Sequence, residues 1–232
     1  MSVINYSNRV IDFKIVYYGP GMAGKTANLQ YIHRSLPHAN RGNMISLATG
    51  DDRTIYFDFL PVSALTVRGF QTRFQLYTVP GQVQYNATRR LVLRGADGLV
   101  FVADSQFDRL RENVESLRDL EANLREYEST LDEIPYVLQY NKRDLPNLAP
   151  VTYLEFVLNR RATRVPFFEA SAVGGKGVFD TLNTVSRMAL ASEASRAVGG
   201  VLGEARARPK PPREFAAPLS ETESRPAWTP PS

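Results

Sequence analysis

The stretch Gly19-Pro20-Gly21-Met22-Ala23-Gly24-Lys25-Thr26 has the spacing G-x-x-x-x-G-K-[ST], which is typical of a phosphate-binding loop. It follows a β-branched and aromatic run, Phe13 to Tyr18, and it precedes a segment with apolar residues at helical spacing, 27–36. In this context the N–H groups of the loop and of the first helical turn point at an anion. The sequence therefore predicts a phosphate site at the start of the first helix.

Each residue type in this loop has an expected role. The glycines keep the backbone close to the phosphates, because a side chain there would collide with them. Lys25 is expected to contact the β and γ phosphates and to assist catalysis, and the Thr26 hydroxyl is expected to bind Mg²⁺. The nucleotide-binding residues predicted in this loop are Gly19, Gly21, Ala23, Gly24, Lys25, Thr26 and Ala27.

The composition narrows the class of protein. The chain has 232 residues, 43% of them hydrophobic, and a formal charge of +4, which is ordinary for a globular protein. No basic stripe interleaved with aromatic residues predicts nucleic-acid binding. Cysteine is absent, which excludes disulfides, thiolate zinc sites and prenylation. With no apolar run of membrane length, we expect a cytoplasmic protein, a monomer by itself, that reaches membranes or cell poles only through partners.

Hydrophobic periodicity predicts the order of the elements. Strands are expected at residues 13–18, 44–47, 55–60, 70–79, 98–104, 135–140 and 166–170, and helices at 27–36, 85–94, 108–127, 152–158 and 177–195. The first dozen residues could add a short edge strand. We expect the third strand to stop at Pro61 and residues 63–69 to turn the chain into a hairpin. This order predicts a three-layer α/β fold whose sheet is mostly parallel, with one antiparallel hairpin strand.

The composition changes near residue 199. Seven of the fifteen prolines lie between Pro209 and Pro231, and apolar periodicity is lost. We therefore expect one domain at residues 1–198 and a disordered proline-rich tail at 199–232. Residues 209–213 match a P-x-x-P recognition pattern, and two interpretations stay open: a docking motif or a plain solvated extension.

A second motif indicates which base is bound. Asn141-Lys142-Arg143-Asp144 follows a buried strand, so it lies at the same edge of the sheet as the phosphate loop. The Asp144 carboxylate can accept the paired donors of guanine, which adenine lacks. Asn141 can reach the base edge, and the Lys142 stem can lie over the ring. The Ser171-Ala172 pair follows the last strand, and this order and spacing match a guanine-nucleotide-binding domain.

With these residues together, the chain resembles the Ras-like small GTPases and, within them, the bacterial MglA family, which governs cell polarity and gliding motility. The resemblance covers roughly residues 3–195. It rests on the runs 19–26, 52–54, 57–61, 77–82, 102–106 and 139–146. It implies the P-loop small GTPase (Ras-like) fold, binding of GTP and GDP with Mg²⁺, and slow hydrolysis of GTP that a Roadblock-fold activator, MglB, accelerates. It also implies polarity or motility effectors as partners.

One departure from the Ras pattern concerns the metal. Ras-like proteins carry D-x-x-G after the third strand, where the aspartate serves Mg²⁺, and this chain has Thr78-Val79-Pro80-Gly81. Members of the MglA family share the substitution, so the resemblance implies a substitute, for which Asp58 on the neighbouring strand is the candidate.

The resemblance also implies the catalytic residues. Thr54 is expected to close on Mg²⁺ and the γ phosphate, Gln82 to orient the attacking water, and Arg53 to act as an arginine finger supplied by the chain itself.

Two other functions remain open from the sequence alone. The first is a GTP-binding interaction module with little turnover, in which the missing aspartate is a real loss. The second is a P-loop kinase that uses ATP. The leading expectation is a GTP-hydrolysing molecular switch, and single-turnover hydrolysis of GTP separates it from the first alternative. Competition binding between ATP and GTP tests the second.

Overall fold

A computed structural model describes residues 2–47, 57–67, 69–81, 85–161 and 163–200. Its strands are β1 (Val3–Asn5), β2 (Val10–Tyr18), β3 (Ile45–Leu47), β4 (Phe57–Val67), β5 (Phe70–Thr78), β6 (Gly98–Asp104), β7 (Tyr136–Asn141) and β8 (Phe167–Glu169). Its helices are α1 (Lys25–Ser35), α2 (Asn86–Leu93), α3 (Leu110–Arg125), α4 (Val151–Leu158) and α5 (Val178–Gly200).

These strands form one eight-stranded sheet, in which seven strands follow the order β3-β4-β5-β2-β6-β7-β8 and β1 pairs with β2 outside this order. The five strands from β5 to β8 in this order are parallel, and β4 pairs antiparallel with β5. The short strands β3 and β1 pair antiparallel with β4 and β2. The predicted three-layer fold, with its mostly parallel sheet and its hairpin strand, is confirmed.

The alternating residues of β2 supply both layers of the core. Phe13, Ile15 and Tyr17 face one hydrophobic cluster, which also contains side chains of α1 and α5. Val16 and Tyr18 face the other cluster, which contains side chains of α2, α3 and α4. Because both faces of the sheet are covered, strands such as β6 are buried along their whole length. The carboxyl ends of the parallel strands are therefore the place where polar side chains gather.

Two details of the hairpin differ from the sequence expectation. Strand β4 does not stop at Pro61 but continues to Val67, so the connection to β5 is much shorter than residues 63–69. The Pro61 carbonyl accepts a bond from the N–H of Gly42, at 2.9 Å, on the side of β4 that faces away from β5. The missing N–H of proline therefore removes no bond of the β4–β5 ladder, and proline is tolerated there.

The last helix is longer than periodicity predicted. It runs to Gly200, beyond the expected end at Ser195 and across the expected domain boundary at residue 198. The tail at 201–232 lies outside the described residues. Among the helices of the described part, none is long and apolar enough to cross a membrane.

Candidate functional site

The phosphate loop links the end of β2 to the start of α1, and two of its glycines are required by close packing. Gly19 has φ 145°, and a Cβ there would lie 2.1 Å from the Val102 carbonyl oxygen. Gly24 has φ 97°, and a Cβ there would lie 2.2 Å from Nδ2 of Asn141. Both are positive-φ positions that favour glycine. A Cβ on Gly21 would meet only Gly81, at 3.9 Å, so its space is open.

Lys25 turns its ammonium group back onto the loop. Its Nζ donates to the carbonyl oxygens of Gly19 at 2.8 Å and Pro20 at 2.7 Å. Burial, chiefly, and the positive charge of Arg89 lower the pKa of Lys25 from 10.5 to about 7, against the opposing effect of the Asp58 carboxylate. An anionic ligand would stabilise the protonated form of this lysine, because its negative charge would offset the loss of hydration that burial causes.

Asp58 lies at the centre of a cluster of hydroxyl groups. Its carboxylate accepts bonds from Thr26 at 2.5 Å, Ser46 at 2.7 Å and Thr78 at 2.9 Å. The N–H of Asp58 in turn donates to the Thr78 hydroxyl at 2.8 Å. These residues come from α1, β3, β4 and β5, so the register of the hairpin brings the carboxylate to the phosphate loop. Asp58 is 8% exposed, and its cluster opens onto a cleft of about 480 Å³ that Lys25 also lines.

The Asn141 side chain links two loops of the site by hydrogen bonds. Its Nδ2 donates to the carbonyl of Ala23 at 2.8 Å, and its Oδ1 accepts the N–H of Ala172 at 2.9 Å. The side chain is buried, and it therefore joins the phosphate loop to the loop after β8 without contact to solvent. The Ser171 carbonyl also accepts the N–H of Gly175 at 2.6 Å, which closes the second loop on itself.

The rest of the guanine motif lies at the same rim. Lys142 has φ 65°, and its Nζ donates to the buried carboxylate of Asp104 at 2.7 Å. Asn113 of α3 holds the backbone of Asp104 through two bonds, at 2.9 and 2.8 Å. Asp144 is exposed, and among the residues that the structure describes none is hydrogen-bonded to its carboxylate. Its acceptor oxygens are thus available to a ligand.

Comparison with known proteins decides the family. The model of the Ras family matches residues 14–191, which is most of the chain. The chain belongs to the Ras family. Its geometry agrees with that membership, since the described strands and helices surround a phosphate loop and a guanine motif at one edge of a mostly parallel sheet. As a Ras-family member it is a small GTPase.

Similarity to individual proteins shows where within the Ras family the chain belongs. The chain is 56% identical over 190 residues to mutual gliding-motility protein MglA of Myxococcus xanthus, covering 82% of this chain and 96% of that protein. It is 26% identical over 205 residues to the Ypt/Rab-type GTPase avaA of Emericella nidulans, with 84% and 90% covered. The Ypt/Rab-type GTPase ypt7 of Pyricularia oryzae matches at 26% over 200 residues, with the same coverage. The chain is therefore an MglA-like member of the Ras family.

Three predicted residues of the Ras-family site lie outside the described residues: Arg53, Thr54 and Gln82. The other predicted residues surround one site. Lys25 and Thr26 lie at the cleft with Asp58, and Asn141, Lys142, Asp144, Ser171 and Ala172 form the rim beyond Gly24.

Several polar residues of this Ras-family site were missed by sequence reasoning. Asp104 could have been found, because it ends a buried strand at the edge where ligands bind. Ser46 and Arg109 gave no such signal. Ser46 reaches Asp58 only through the β3–β4 pairing. Arg109, which directly precedes α3, donates to the Gly21 carbonyl at 3.3 Å. Arg89 is buried on α2 and is paired with Asp119 at 3.0 Å.

Proposed function

We propose that this GTPase binds Mg²⁺ with GTP in the cleft beside Lys25 and acts as a nucleotide-dependent switch in cell polarity and gliding motility. The observation that carries the proposal is the position of Asp58. Its carboxylate is hydrogen-bonded both to Thr26, the expected metal ligand of the loop, and to Thr78, which stands where Ras-like proteins have aspartate. A carboxylate from β4 thus lies next to the place where the missing one would be.

The donor set around Asp58 fits Mg²⁺. This cation prefers oxygen ligands and is usually bound through one or two carboxylates together with substrate phosphates. Thr26, Ser46 and Asp58 offer two hydroxyl oxygens and one carboxylate. Within the described ranges no group of three or more His, Cys, Asp or Glu side chains could hold a metal ion by itself. A metal held here would therefore depend on the nucleotide, and when bound it would neutralise phosphate charge.

The phosphates would be held by the loop of residues 19–27. Backbone N–H groups of the loop and of the first turn of α1 would donate to them, and Lys25 would exchange its two carbonyl bonds for bonds to β and γ phosphate oxygens. The Lys25 ammonium is already positioned by Gly19 and Pro20, so little reorganisation is needed. We expect this group to stay protonated once the anion is bound.

The base would be held at the other end of the cleft. Asp144 would accept two guanine donors, and the stem of Lys142, fixed by its ion pair with Asp104, would lie over the ring. Asn141 would keep the Ala172 N–H close to the base edge while it holds the phosphate loop. Ser171 completes the loop on that side. These contacts would favour guanine over adenine.

Hydrolysis would use the residues that follow β3 and β5. Thr54 would close on Mg²⁺ and the γ phosphate, Gln82 would orient the attacking water, and Arg53 would stabilise the charge that develops on the phosphates. An MglB-type activator of Roadblock fold would accelerate this step, and polarity or motility effectors would bind the GTP state. Recruitment to the cell poles would follow from those partners.

Single-turnover hydrolysis of GTP tests the proposal. The chain, loaded with GTP and Mg²⁺, is expected to release phosphate slowly alone and faster with a cognate MglB-type protein. Gln82→Ala serves as the control that removes the water-orienting side chain. Should neither condition release phosphate above this control, the alternative of a GTP-binding module with little turnover replaces the switch.

Asp58→Asn tests the metal role in a separate assay of GDP dissociation. Removing one negative charge is expected to weaken Mg²⁺-dependent retention of GDP, measured as the dissociation rate with Mg²⁺ and with EDTA. If Mg²⁺ slows dissociation equally in the variant and the parent, Asp58 does not serve the metal.

A further inference from the structure

We infer that Tyr31 and Arg34 of α1 form a clasp over the loop of residues 171–175 and that this clasp sets how long the guanine nucleotide stays bound. The inference rests on the proposed function, because it assigns a positioning role at the base end of the same site. Neither residue belongs to a motif. Both are on the helix that begins with Lys25, where Tyr31 is half-buried against the core and Arg34 is exposed.

The first contact of the clasp is a hydrogen bond. Nη2 of Arg34 donates to the carbonyl oxygen of Val173 at 2.6 Å. The Arg34 guanidinium also lies over the Tyr31 ring, with 4.7 Å between its carbon and the ring centroid. A guanidinium stacked in this way is fixed in direction, so the bond to Val173 needs little further ordering.

The second contact is steric. Gly175 has φ 88°, and a Cβ there would lie 1.8 Å from the Tyr31 ring, so the ring sits directly on the glycine backbone. Tyr31 is supported from behind by Phe179 of α5, with the ring centroids 6.2 Å apart. The loop is therefore in contact with an aromatic ring at Gly175 and is hydrogen-bonded to an arginine at Val173.

The clasped loop is the one that would face the base at the proposed site. Its Ala172 N–H is bonded to Asn141, and its Ser171 hydroxyl accepts the N–H of Gly174 at 3.2 Å. Helix α1 thus carries the phosphate-binding residues at its start and holds the base-binding loop from its middle and end. Outward movement of residues 171–175 must break the contacts of Tyr31 and Arg34.

The exposed position of the clasp indicates that it controls local opening of the loop of residues 171–175 rather than the global stability of the protein. Arg34 is exposed and Val173 is 72% exposed, so the bond between them is at the surface. Surface bonds contribute little to overall unfolding, whereas the opening of one loop depends on the few contacts that hold it. We therefore assign Arg34 and Tyr31 as positioning residues for the bound nucleotide.

The test measures GDP dissociation with a fluorescent GDP analogue in the full chain. Arg34→Ala is expected to raise the dissociation rate by roughly three- to ten-fold, because one charged hydrogen bond is lost at a partly exposed site. Arg34→Lys, which keeps a cation and a donor, is expected to recover part of this change. Tyr31→Leu, which removes the ring from Gly175, is expected to act in the same direction. The association rate is expected to stay unchanged.

Arg160→Ala is the matched control. Arg160 also stacks on an aromatic ring of its own region, Phe156, at 5.1 Å, but it lies after α4 and away from the site. Its removal is expected to leave GDP dissociation unchanged. An unchanged rate in Arg34→Ala, or an equal change in Arg160→Ala, would overturn the clasp.

Removal of Mg²⁺ distinguishes the base end from the phosphate end. EDTA is expected to accelerate dissociation from both parent and Arg34→Ala by the same factor, since effects at separate places add. If the effect of Arg34→Ala disappears in EDTA, the residue acts through the phosphates and the inference is wrong. A parent protein that binds no GDP at all would refute the proposed function instead, and that result is visible before any variant is made.

Discussion

The phosphate end and the base end of the cleft are built from different kinds of contact. At the phosphate end, Lys25 and Asp58 are ionisable groups whose present partners are carbonyl and hydroxyl groups of the protein. At the base end, the neutral amide of Asn141 joins two loops through bonds that are already complete. The difference indicates that the base end is held by bonds within the protein, whereas the charged groups of the phosphate end can exchange their partners for those of a ligand.

The strongest test of this contrast is Lys25→Ala. Two charge-assisted bonds to phosphate contribute about 1.5 to 3 kcal/mol each, so GTP affinity is expected to fall by roughly 10²- to 10⁴-fold. The melting temperature of the nucleotide-free protein is expected to change little, because the ammonium is held there against a desolvation cost. Titration calorimetry measures the affinity. An affinity within about three-fold of the parent would place the phosphates elsewhere.

Asn141→Ala is expected to act on both stability and binding. The change leaves the Ala23 carbonyl and the Ala172 N–H without their partner in a buried place, which costs about 2 to 4 kcal/mol of unfolding free energy. Because both loops touch the ligand, GDP affinity is expected to fall as well. Denaturant unfolding and GDP titration measure the two effects.

Asn159→Ala is the control for this variant. Asn159 is equally buried and bonds Glu155 and Val165 at the end of α4, away from the cleft. It is expected to lose comparable stability with no loss of GDP affinity. A parallel loss of affinity in both variants would mean that binding follows overall stability rather than the junction at Asn141.

Asp144→Asn tests the base end for specificity. The amide still accepts one bond but presents a donor to a guanine donor, so the preference for GTP over ATP is expected to fall by roughly 10- to 100-fold. Competition binding measures the ratio, with Asp108→Asn as the control, since Asp108 is bonded to Asn147 at 3.1 Å instead. A ratio equal to the parent's would remove Asp144 from the site.

The smallest expected effect is the pH dependence of binding. In the nucleotide-free protein, Lys25 loses its proton as pH rises through a pKa of about 7, whereas bound phosphate favours the protonated form. Binding above pH 7 therefore takes up a proton, and affinity falls by at most about ten-fold for each pH unit. Calorimetry at pH 8 in buffers of different ionisation enthalpy measures the uptake. Lys25→Arg, which stays charged, is expected to abolish it, and uptake that persists would assign the proton to another group.

Patterns within single segments of the sequence were enough to predict most of the helices and strands and the main motifs of the candidate site. Three elements were predicted in this way: β5 from its alternating apolar residues, β6 from its apolar run, and α3 from apolar residues at helical spacing. Each could be predicted because its pattern lies within one segment. The phosphate loop and the guanine motif could be predicted for the same reason. Residue types within one turn or one loop are enough to state what such a motif binds.

The missed features depend on residues that are distant in sequence. The Ser46–Asp58–Thr78 arrangement exists only because of the register of three strands, and no pattern at Ser46 indicates it. The strand continues through Pro61 because the missing N–H lies on the side away from β5, where the Pro61 carbonyl accepts from Gly42. Arg34 lies on the polar side of an amphipathic helix, where a solvated arginine is the ordinary expectation, and only the path of the loop after β8 gives it a partner.

The contact between Gly24 and the Asn141 amide has an evolutionary consequence. Any side chain at position 24 would occupy the volume of that amide, at 2.2 Å from its nitrogen, so position 24 must stay glycine for as long as Asn141 is kept. The dependence runs in one direction, because a smaller side chain at position 141 would leave the glycine undisturbed. In the course of evolution, a replacement at position 24 is therefore expected only in lineages where position 141 has already changed.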